Sequence, residues 1–184
     1  MRVLVACEFS GIVREAFKAR GHDAWSCDLM DSEIVGNHIK GDVLAILDQD
    51  WDLMIAHPPC TYLSVAGARH FASRDPRLQK DALAFVMLLL NAPIKKIAIE
   101  NPVGVISTFI RPPDQYIQPY WFGAHTTKKT GLWLKNLPLL TKTNVIDPDK
   151  VRSGDFSMTM RTKDWRKRSR TFKGIASAMA EQWG

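Results

Sequence analysis

The sequence predicts an α/β fold, built on a doubly wound and mostly parallel β-sheet. Short apolar strands alternate with helical segments through the first hundred residues, the arrangement that builds parallel sheets by right-handed crossovers. The chain of 184 residues has the size of one domain, and its 46% hydrophobic and 24% charged residues are ordinary for a globular protein. We therefore expect residues 1–184 to form a single domain.

The alternation begins at the amino terminus. Arg2–Ala6 is an apolar run that predicts the first strand, and Gly11–Arg20 has the apolar spacing of a helix. Asp23–Cys27 predicts a second strand that ends at Asp28. A short third strand is expected just before the turn Gly41-Asp42-Val43.

Two further strands flank a long helix. Trp51–Ala56 predicts the fourth strand, which ends at two prolines that cannot continue a β ladder. Asp75-Pro76 is expected to cap the helix Arg77–Leu90, with proline at its favoured first position. The apolar stretch Ala82–Leu90 within it predicts a buried helix. Lys95–Ile99 predicts the fifth strand.

After Pro102 the pattern is less regular. Tyr116–Phe122 and Gly131–Leu134 are aromatic-rich segments that predict strands, and Gly174–Gln182 predicts a closing helix. There is no internal repeat and no linker long enough to divide two domains.

The composition excludes several classes of protein. No apolar run approaches the roughly 20 residues that span a bilayer. The early first strand leaves no room for a signal peptide, so we expect a cytoplasmic protein with no membrane association. Three cysteines form no CxxC pair and five histidines show no metal-ligand spacing. Neither a disulfide framework nor a metal site is therefore predicted.

Positive charge is concentrated near the carboxyl terminus. The formal net charge is +6, and Lys150–Lys173 alone holds nine Lys or Arg residues against two Asp. Such a cluster favours a polyanionic partner at one end of the molecule. A merely solvated basic tail is the alternative.

Two of the predicted strands lead into side chains that could take part in catalysis. Ile55-Ala56-His57-Pro58-Pro59-Cys60 ends in a thiol, and Ile97-Ala98-Ile99-Glu100-Asn101-Pro102 carries a carboxylate and an amide. Ligands gather outside the carboxyl ends of parallel strands, so we expect Cys60 and Glu100 to lie side by side. A nucleophile beside an acid is a pairing that serves covalent catalysis. A buried cysteine and a salt-bridged glutamate are the structural alternatives.

A second group of residues predicts a nucleotide-like ligand. The first strand leads through a tight turn to Gly11 and a helix, whose N-terminal N–H groups are expected to be open to a ligand. Asp28 is placed to accept hydrogen bonds from ribose hydroxyls, and Asp42 from an adenine amino group. Because only one glycine of a GxGxxG motif is present, the series suits an adenosine without phosphates, such as S-adenosylmethionine. Taken singly, each aspartate is equally explained as a turn residue or a helix cap.

The order of these segments resembles the DNA cytosine carbon-5 methyltransferases, in a compact and phage-like form. Pro58-Pro59-Cys60 is similar to the family's nucleophile motif after the fourth strand, and Glu100-Asn101 to its motif after the fifth. The turn and the two aspartates follow the order of its cofactor-side motifs, and Gly174–Ala180 resembles its final motif. The resemblance implies a Rossmann-like, S-adenosylmethionine-dependent methyltransferase fold. The residues then expected to face the cofactor are Phe9, Ser10, Gly11, Asp28, Asp42 and Pro58.

The resemblance also implies a mechanism. Cys60 would attack carbon 6 of cytosine, Glu100 would stabilise charge at ring nitrogen 3, and Asn101 would orient the carboxyl group or nearby backbone. Because a base inside a duplex is out of reach, the target would be flipped out of the DNA.

Contacts to DNA are expected from a loop and two basic stretches. Thr61–Arg74 is expected to be a mobile loop over the flipped nucleotide, and the stretch around Trp165 a basic DNA surface that binds in a salt-sensitive way. For the lysines, solvated surface is the equal alternative. The residues expected to contact substrate or DNA are Arg69, Lys128, Lys129, Arg161, Arg166 and Arg168.

One departure from the family concerns target recognition. Family enzymes insert a large recognition region where this chain has only a short basic insert, residues 135–170. Phosphate contacts carry no sequence information, so we expect a short or relaxed target, a recognition partner, or a homo-oligomer. Two other functions stay open: carbon-5 modification of a free pyrimidine nucleotide, and a catalytically inactive DNA-binding subunit.

Overall fold

The computed structural model describes residues 1–65, 75–151 and 164–184. Its strands are β1 (Arg2–Ala6), β2 (Asp23–Asp28), β3 (His38–Lys40), β4 (Leu53–Ala56), β5 (Lys96–Pro102), β6 (Gln115–Ile117) and β7 (Thr130–Lys135). Its α-helices are α1 (Ile12–Lys18), α2 (Pro76–Leu90), α3 (Ile106–Phe109), α4 (Trp165–Ser169) and α5 (Lys173–Trp183).

The strands form one sheet in the order β3-β2-β1-β4-β5-β7-β6. The first five strands are parallel to one another, and β7 pairs antiparallel with both β5 and β6. The predicted α/β fold with a doubly wound, mostly parallel sheet is therefore confirmed. The strand order changes direction at β1, which lies between β2 and β4. The carboxyl ends of β1, β4 and β5 consequently lie next to one another at one edge of the sheet, where such folds bind their ligands.

The fifth strand is longer than the sequence predicts. Lys95–Ile99 was expected, whereas β5 continues to Pro102 because β7 pairs with it residue by residue. Glu100 lies opposite Leu132 and Asn101 opposite Gly131 in this register. The two polar residues are thus held in the last residues of a paired strand, rather than in the turn beyond it.

The predicted strand Tyr116–Phe122 is wrong over most of its length. Only Gln115–Ile117 pairs in the sheet, and Pro119–Trp121 forms a 3-10 turn. Proline lacks the N–H that a continuing ladder needs, so the chain leaves the sheet at this residue.

The long helix forms as predicted, with Asp75 as its cap and Pro76 as its first residue. It is not buried throughout, however. Val86 and Leu89 are inaccessible to solvent, whereas Met87 and Leu88 on the other face are 42% and 53% exposed. An apolar run on a surface helix therefore covers the sheet with only one of its faces.

Two hydrophobic clusters cover the two faces of the sheet. Alternate residues of β1 divide between them, Val3 and Val5 on one face and Leu4 on the other. The first cluster lies under α1 and α5, and the second under α2. Burial on both faces is typical of a parallel sheet, and it gives the strand ends a rigid base. No helix in the described ranges combines the length and apolarity that crossing a membrane requires.

Candidate active site

The segment that carries Cys60 is joined to the end of β5 by hydrogen bonds. Asn101 Nδ2 donates to the Pro58 carbonyl over 2.8 Å, and Asn101 is only 1% exposed. Farther along, the Val105 N–H donates to the Leu63 carbonyl over 2.8 Å and the Val65 N–H to Val103 over 3.0 Å. These contacts hold the two predicted catalytic segments against each other over several residues.

Cys60 itself begins a tight turn. Its carbonyl accepts the N–H groups of Leu63 and Ser64 at 3.0 and 2.9 Å. Gly104 makes room for this turn, because a Cβ atom at that position would lie 1.9 Å from the Leu63 carbonyl oxygen. The thiol is half-buried rather than sealed in the core.

Glu100 is bonded to a histidine that precedes the prolines. His57 Nδ1 lies 2.9 Å from Glu100 Oε2, and the two side chains are 10% and 17% exposed. Among the described residues, His57 Nε2 and Asn101 Oδ1 are buried polar atoms without a hydrogen-bond partner. Such atoms are uncommon in folded proteins and are candidates for contact with a ligand or an ordered water.

The electrostatics of the site differ for the acid and the thiol. Burial alone would raise the pKa of Glu100, but the hydrogen bond and charge of His57, together with the Lys128 charge, hold that pKa below its usual range. Burial raises the pKa of the Cys60 thiol; the Lys128 ammonium opposes this, and Glu100 adds to it. Both groups therefore lie within reach of the same cation and of each other. In the ligand-free protein this environment favours an ionised carboxylate and a neutral thiol.

Lys128 is positioned by two separate segments. Its backbone N–H donates to Gln118 Oε1 over 3.0 Å, and its ammonium donates to the Arg168 carbonyl over 3.1 Å. The neighbouring Lys129 instead lies over the ring of Tyr116, 4.3 Å from its centroid. Of the two predicted lysines, Lys128 is the one whose charge acts on Cys60 and Glu100.

The N-terminus of α1 is occupied by a carboxylate of the protein itself. Glu8 is 4% exposed, and it accepts the N–H groups of Val13 and Arg14 at 2.7 and 3.2 Å. Ser10 donates to Glu8 and accepts the N–H of Ile12. The expectation that these N–H groups are open to a ligand is therefore wrong, since Glu8 and Ser10 already use them. A phosphate at this point would meet a buried carboxylate.

A fully buried arginine shapes the turn after β2. Arg14 donates to Ser26 and Ser32 over 2.9 and 3.0 Å and to the Ile34 carbonyl over 2.6 Å. Gly11 has φ +74°, and a Cβ atom there would lie 2.7 Å from Arg14 Nη2. The glycine is thus required by a left-handed turn and by close packing. Its predicted contact with a cofactor stays a prediction.

The two predicted cofactor aspartates stabilise their own turns. Asp28 Oδ1 accepts the Met30 N–H, and Asp42 Oδ1 accepts the Leu44 N–H, each over 3.0 Å. These are the turn and cap roles that the sequence left open. Neither contact tests whether the aspartates also bind a ligand.

A cavity of about 380 Å³ lies beyond the ends of β1 and β2. Two of its lining carboxylates are paired within the protein, Asp31 with Lys40 at 2.8 Å and Glu33 with Arg170 at 2.7 Å. The lining residues are Phe9, Leu29, Met30, Asp31, Ser32, Glu33, Lys40 and Arg166. The walls combine apolar side chains with a larger number of polar and charged ones.

Part of the basic stretch that was expected to form a DNA surface lies beside this cavity. The ring of Trp165 lies 5.8 Å from that of Phe9, and Arg166 lines the cavity. Arg168, whose carbonyl holds Lys128, is partly buried. The predicted DNA contacts Arg69 and Arg161 lie outside the described residues, as does most of the predicted mobile loop.

Sequence reasoning missed His57, Glu8 and Arg14. A signal existed for His57, which directly precedes Pro58, and for Glu8, which follows the first strand. Arg14 carried no such signal, because a charged residue on a short amphipathic helix ordinarily faces solvent. No group of three His, Cys, Asp or Glu side chains in the described ranges is arranged to hold a metal ion.

The chain was compared with known proteins by sequence and by structure. No family model and no curated protein matches the sequence. Among solved structures, the chain is similar to a protein encoded within an E. coli prophage and provisionally described as a DNA modification methyltransferase. The identity is 15% and the TM-score 0.51, over 79% of this chain and 51% of that one. The fold is that of a Rossmann-like methyltransferase. The chain spans about half the length of this methyltransferase neighbour.

Proposed function

We propose that the chain is a methyltransferase that uses S-adenosylmethionine to methylate carbon 5 of cytosine in DNA, through a covalent adduct with Cys60. The observation that carries the proposal is the fastening of the Cys60 segment to the end of β5 by Asn101 and His57. It brings a half-buried thiol and a carboxylate to one edge of a methyltransferase sheet. The resemblance of both motifs to the cytosine carbon-5 enzymes agrees with this pairing.

Cys60 would act as the nucleophile. Its thiolate forms a bond to carbon 6, and the carbon 5–carbon 6 π electrons shift toward carbon 4 while those of carbon 4–nitrogen 3 move onto the nitrogen. Carbon 5 then becomes electron-rich, and one difficult substitution is divided into easier steps. Lys128 favours the thiolate because its charge lowers the pKa that burial raises.

Glu100 would act as the acid at the ring. Its carboxyl group lends a proton to nitrogen 3 as the thiolate adds, and recovers that proton when carbon 5 has gained the methyl group. Water then takes the carbon 5 proton, the ring double bond re-forms, and the electron pair of the sulfur–carbon bond returns to Cys60. Asn101 holds the Pro58 carbonyl and so fixes the nucleophile's segment relative to the acid.

The cavity beside β1 and β2 suits the proposed cofactor. Glu8 fills the end of α1, so phosphates are disfavoured, whereas an adenosine without phosphates meets Phe9 and the turn after Asp28. The residues proposed to hold the cofactor are Phe9, Ser10, Gly11, Asp28, Asp42 and Pro58. When bound, S-adenosylmethionine supplies a methyl group on a positively charged sulfur.

DNA is the proposed substrate because the chain carries a net charge of +6. Base flipping would bring a cytosine to Cys60, and the cations proposed to bind DNA are Arg69, Lys128, Lys129, Arg161, Arg166 and Arg168. A cytoplasmic location, in a bacterial or phage-infected cell, would place the enzyme beside its substrate.

The test is to trap the adduct. The protein is incubated with DNA containing 5-fluorocytosine and with S-adenosylmethionine tritiated in the methyl group. Fluorine at carbon 5 cannot leave as a proton does, so the adduct persists after methyl transfer. We expect a denaturation-resistant, tritiated protein–DNA band that disappears in Cys60→Ser and persists in Cys27→Ala, a control at a buried cysteine of the core. An unchanged band in Cys60→Ser would refute the proposal.

A free pyrimidine nucleotide is the second candidate substrate. The position of Arg166 in the wall of the cavity favours it, because a guanidinium there offers a partner to a phosphate group. Adduct formation with 5-fluorodeoxycytidine monophosphate, but not with DNA, would decide for this candidate.

A further inference from the structure

The reaction proposed above gives His57 no chemical step, although this residue lies within the candidate site. It stands between two strand ends, with Nδ1 bonded to Glu100 at the end of β5. Glu8 lies on the β1 side; burial raises the pKa of its carboxyl group, and the charge of His57 partly opposes that rise. The ring is nine-tenths buried, and Nε2 has no hydrogen-bond partner among the described residues.

Fastening the Cys60 segment does not depend on His57 alone. Asn101 already holds the Pro58 carbonyl, and the backbone pairs after Cys60 hold the rest of the segment. Leaving a buried nitrogen without a partner costs roughly 1–3 kcal/mol, which the contact of Nδ1 with Glu100 has to offset. This cost suggests that the ring serves chemistry rather than folding.

The proposed reaction needs a proton source for Glu100, and the imidazole of His57 is placed to supply it. Glu100 must lend a proton to the pyrimidine, yet its surroundings keep it ionised in the ligand-free protein. Imidazole is the side chain whose ordinary titration lies nearest neutral pH. The titratable groups that interact electrostatically with the ring or with its partner Glu100 are Glu8, Cys60 and Lys128.

We propose that His57 is a positioning residue that orients Glu100 and stores the proton that Glu100 lends to the ring. As Cys60 adds to carbon 6, the Glu100 carboxylate takes the proton on His57 Nδ1 and passes it to nitrogen 3, which leaves a neutral imidazole and an ionised carboxylate. Methyl transfer returns that proton along the same path, so none is consumed. The inference rests on the function proposed above.

The experiment measures the addition step without any cofactor. Reversible addition of Cys60 exchanges the hydrogen at carbon 5 with water, so tritium released from [5-³H]cytosine in DNA reports it directly. Rates are compared between about pH 5 and about pH 9 for the native protein and for His57→Asn, His57→Gln and His57→Ala. His38→Asn is the matched control, because His38 is also a partly buried histidine with hydrogen bonds through both ring nitrogens.

For the native protein we expect a bell-shaped profile, rising as Cys60 ionises and falling as the stored proton is lost. His57→Asn keeps a donor near Glu100 but no titrating proton, so its falling limb should move to lower pH. At pH 8 tritium release by His57→Asn should be about 10²-fold slower than by the native protein, which is the ordinary contribution of acid–base catalysis. The difference between the two rates should be smaller at low pH. His57→Ala should be slower at every pH, and His38→Asn should follow the native profile.

Other results would contradict either this inference or the proposed function. If His57→Asn and His57→Gln both lose the same factor at every pH, or lose nothing, His57 stores no proton and the inference is wrong. Thermal melting identifies a variant that fails to fold, and the second substitution then decides. If the native protein releases no tritium, or Cys60→Ser releases as much, the proposed function itself fails.

Discussion

Gly104→Ala tests whether close backbone contact holds the Cys60 turn against the end of β5. The added Cβ would lie 1.9 Å from the Leu63 carbonyl oxygen, 2.7 Å from its carbon and 2.8 Å from Ser64 Cα. All three are backbone atoms, so no side chain can rotate away. Gly104 does not have a positive φ, and the cost is therefore steric alone.

The distances set the size of the effect. Ordinary contact begins at 3.4 Å, so the segments must separate by about 1.5 Å. That movement breaks the hydrogen bonds from Val105 to Leu63 and from Val65 to Val103. At about 1.5 kcal/mol each, the loss is about 3 kcal/mol, because the buried groups are left without partners. For a protein of this length we expect the melting temperature to fall by about 6–12 °C.

The assay combines urea unfolding with trapping of the 5-fluorocytosine adduct. A displacement of this size at Cys60 should slow adduct formation by about 10²-fold. Gly41→Ala is the control for stability, since its Cβ would meet nothing within 4 Å and its φ is also not positive. If Gly104→Ala unfolds within about 0.5 kcal/mol of Gly41→Ala, the described approach of the two segments is wrong.

Three further predictions concern charge and burial. Arg14→Met should destabilise the protein by about 3–5 kcal/mol in urea unfolding because it orphans buried acceptors. Arg20→Met, which removes only an exposed ion pair, should cost under about 1 kcal/mol; equal costs would contradict the buried network. The pKa of Glu100 is lower in the folded than in the unfolded protein, so ionised Glu100 stabilises the fold above its unfolded pKa, and this stabilisation is lost as the pH falls through the folded pKa. Glu100→Gln should therefore make the free energy of unfolding depend less on pH below about pH 4.3. An unchanged slope of that free energy against pH would argue against the lowered pKa. Alkylation at pH 8, read by mass spectrometry, should modify Cys60 well before Cys7, whose burial raises its pKa to about 12; labelling of Cys7 first would reverse this order.

Much of the fold was predictable because its signals are local. Apolar runs and turn residues located β1, β2, β4 and β5 to within about three residues of their bounds and placed β3 just before Gly41, and Asp75-Pro76 marked the start of α2. The failures occurred where pairing or a single residue outweighed the local pattern. Proline at 119 ended a segment that looked like a strand, and pairing with β7 carried β5 past Ile99.

The candidate site was predictable in part, and for a different reason. Cys60 and Glu100 were predicted to lie at one edge because each follows an apolar run that predicts a strand, and the two strands pair in parallel as expected. Their partners were not found by the same reasoning. His57 acts on Glu100, 43 positions away, and no local spacing specifies that contact. Glu8 binds N–H groups only five and six residues away, but its burial at the end of α1 depends on the packing of that helix on the sheet.

The sequence by itself determined the α/β class, the alternation of elements and the order of chemically able residues along the chain, since propensity and hydrophobic period act over short distances. Only the tertiary structure decided which polar atoms meet. Hydrogen bonds and charge effects act over a few ångströms in space, and residues such as His57 and Glu100, 43 positions apart, reach that distance only when β4 and β5 pair.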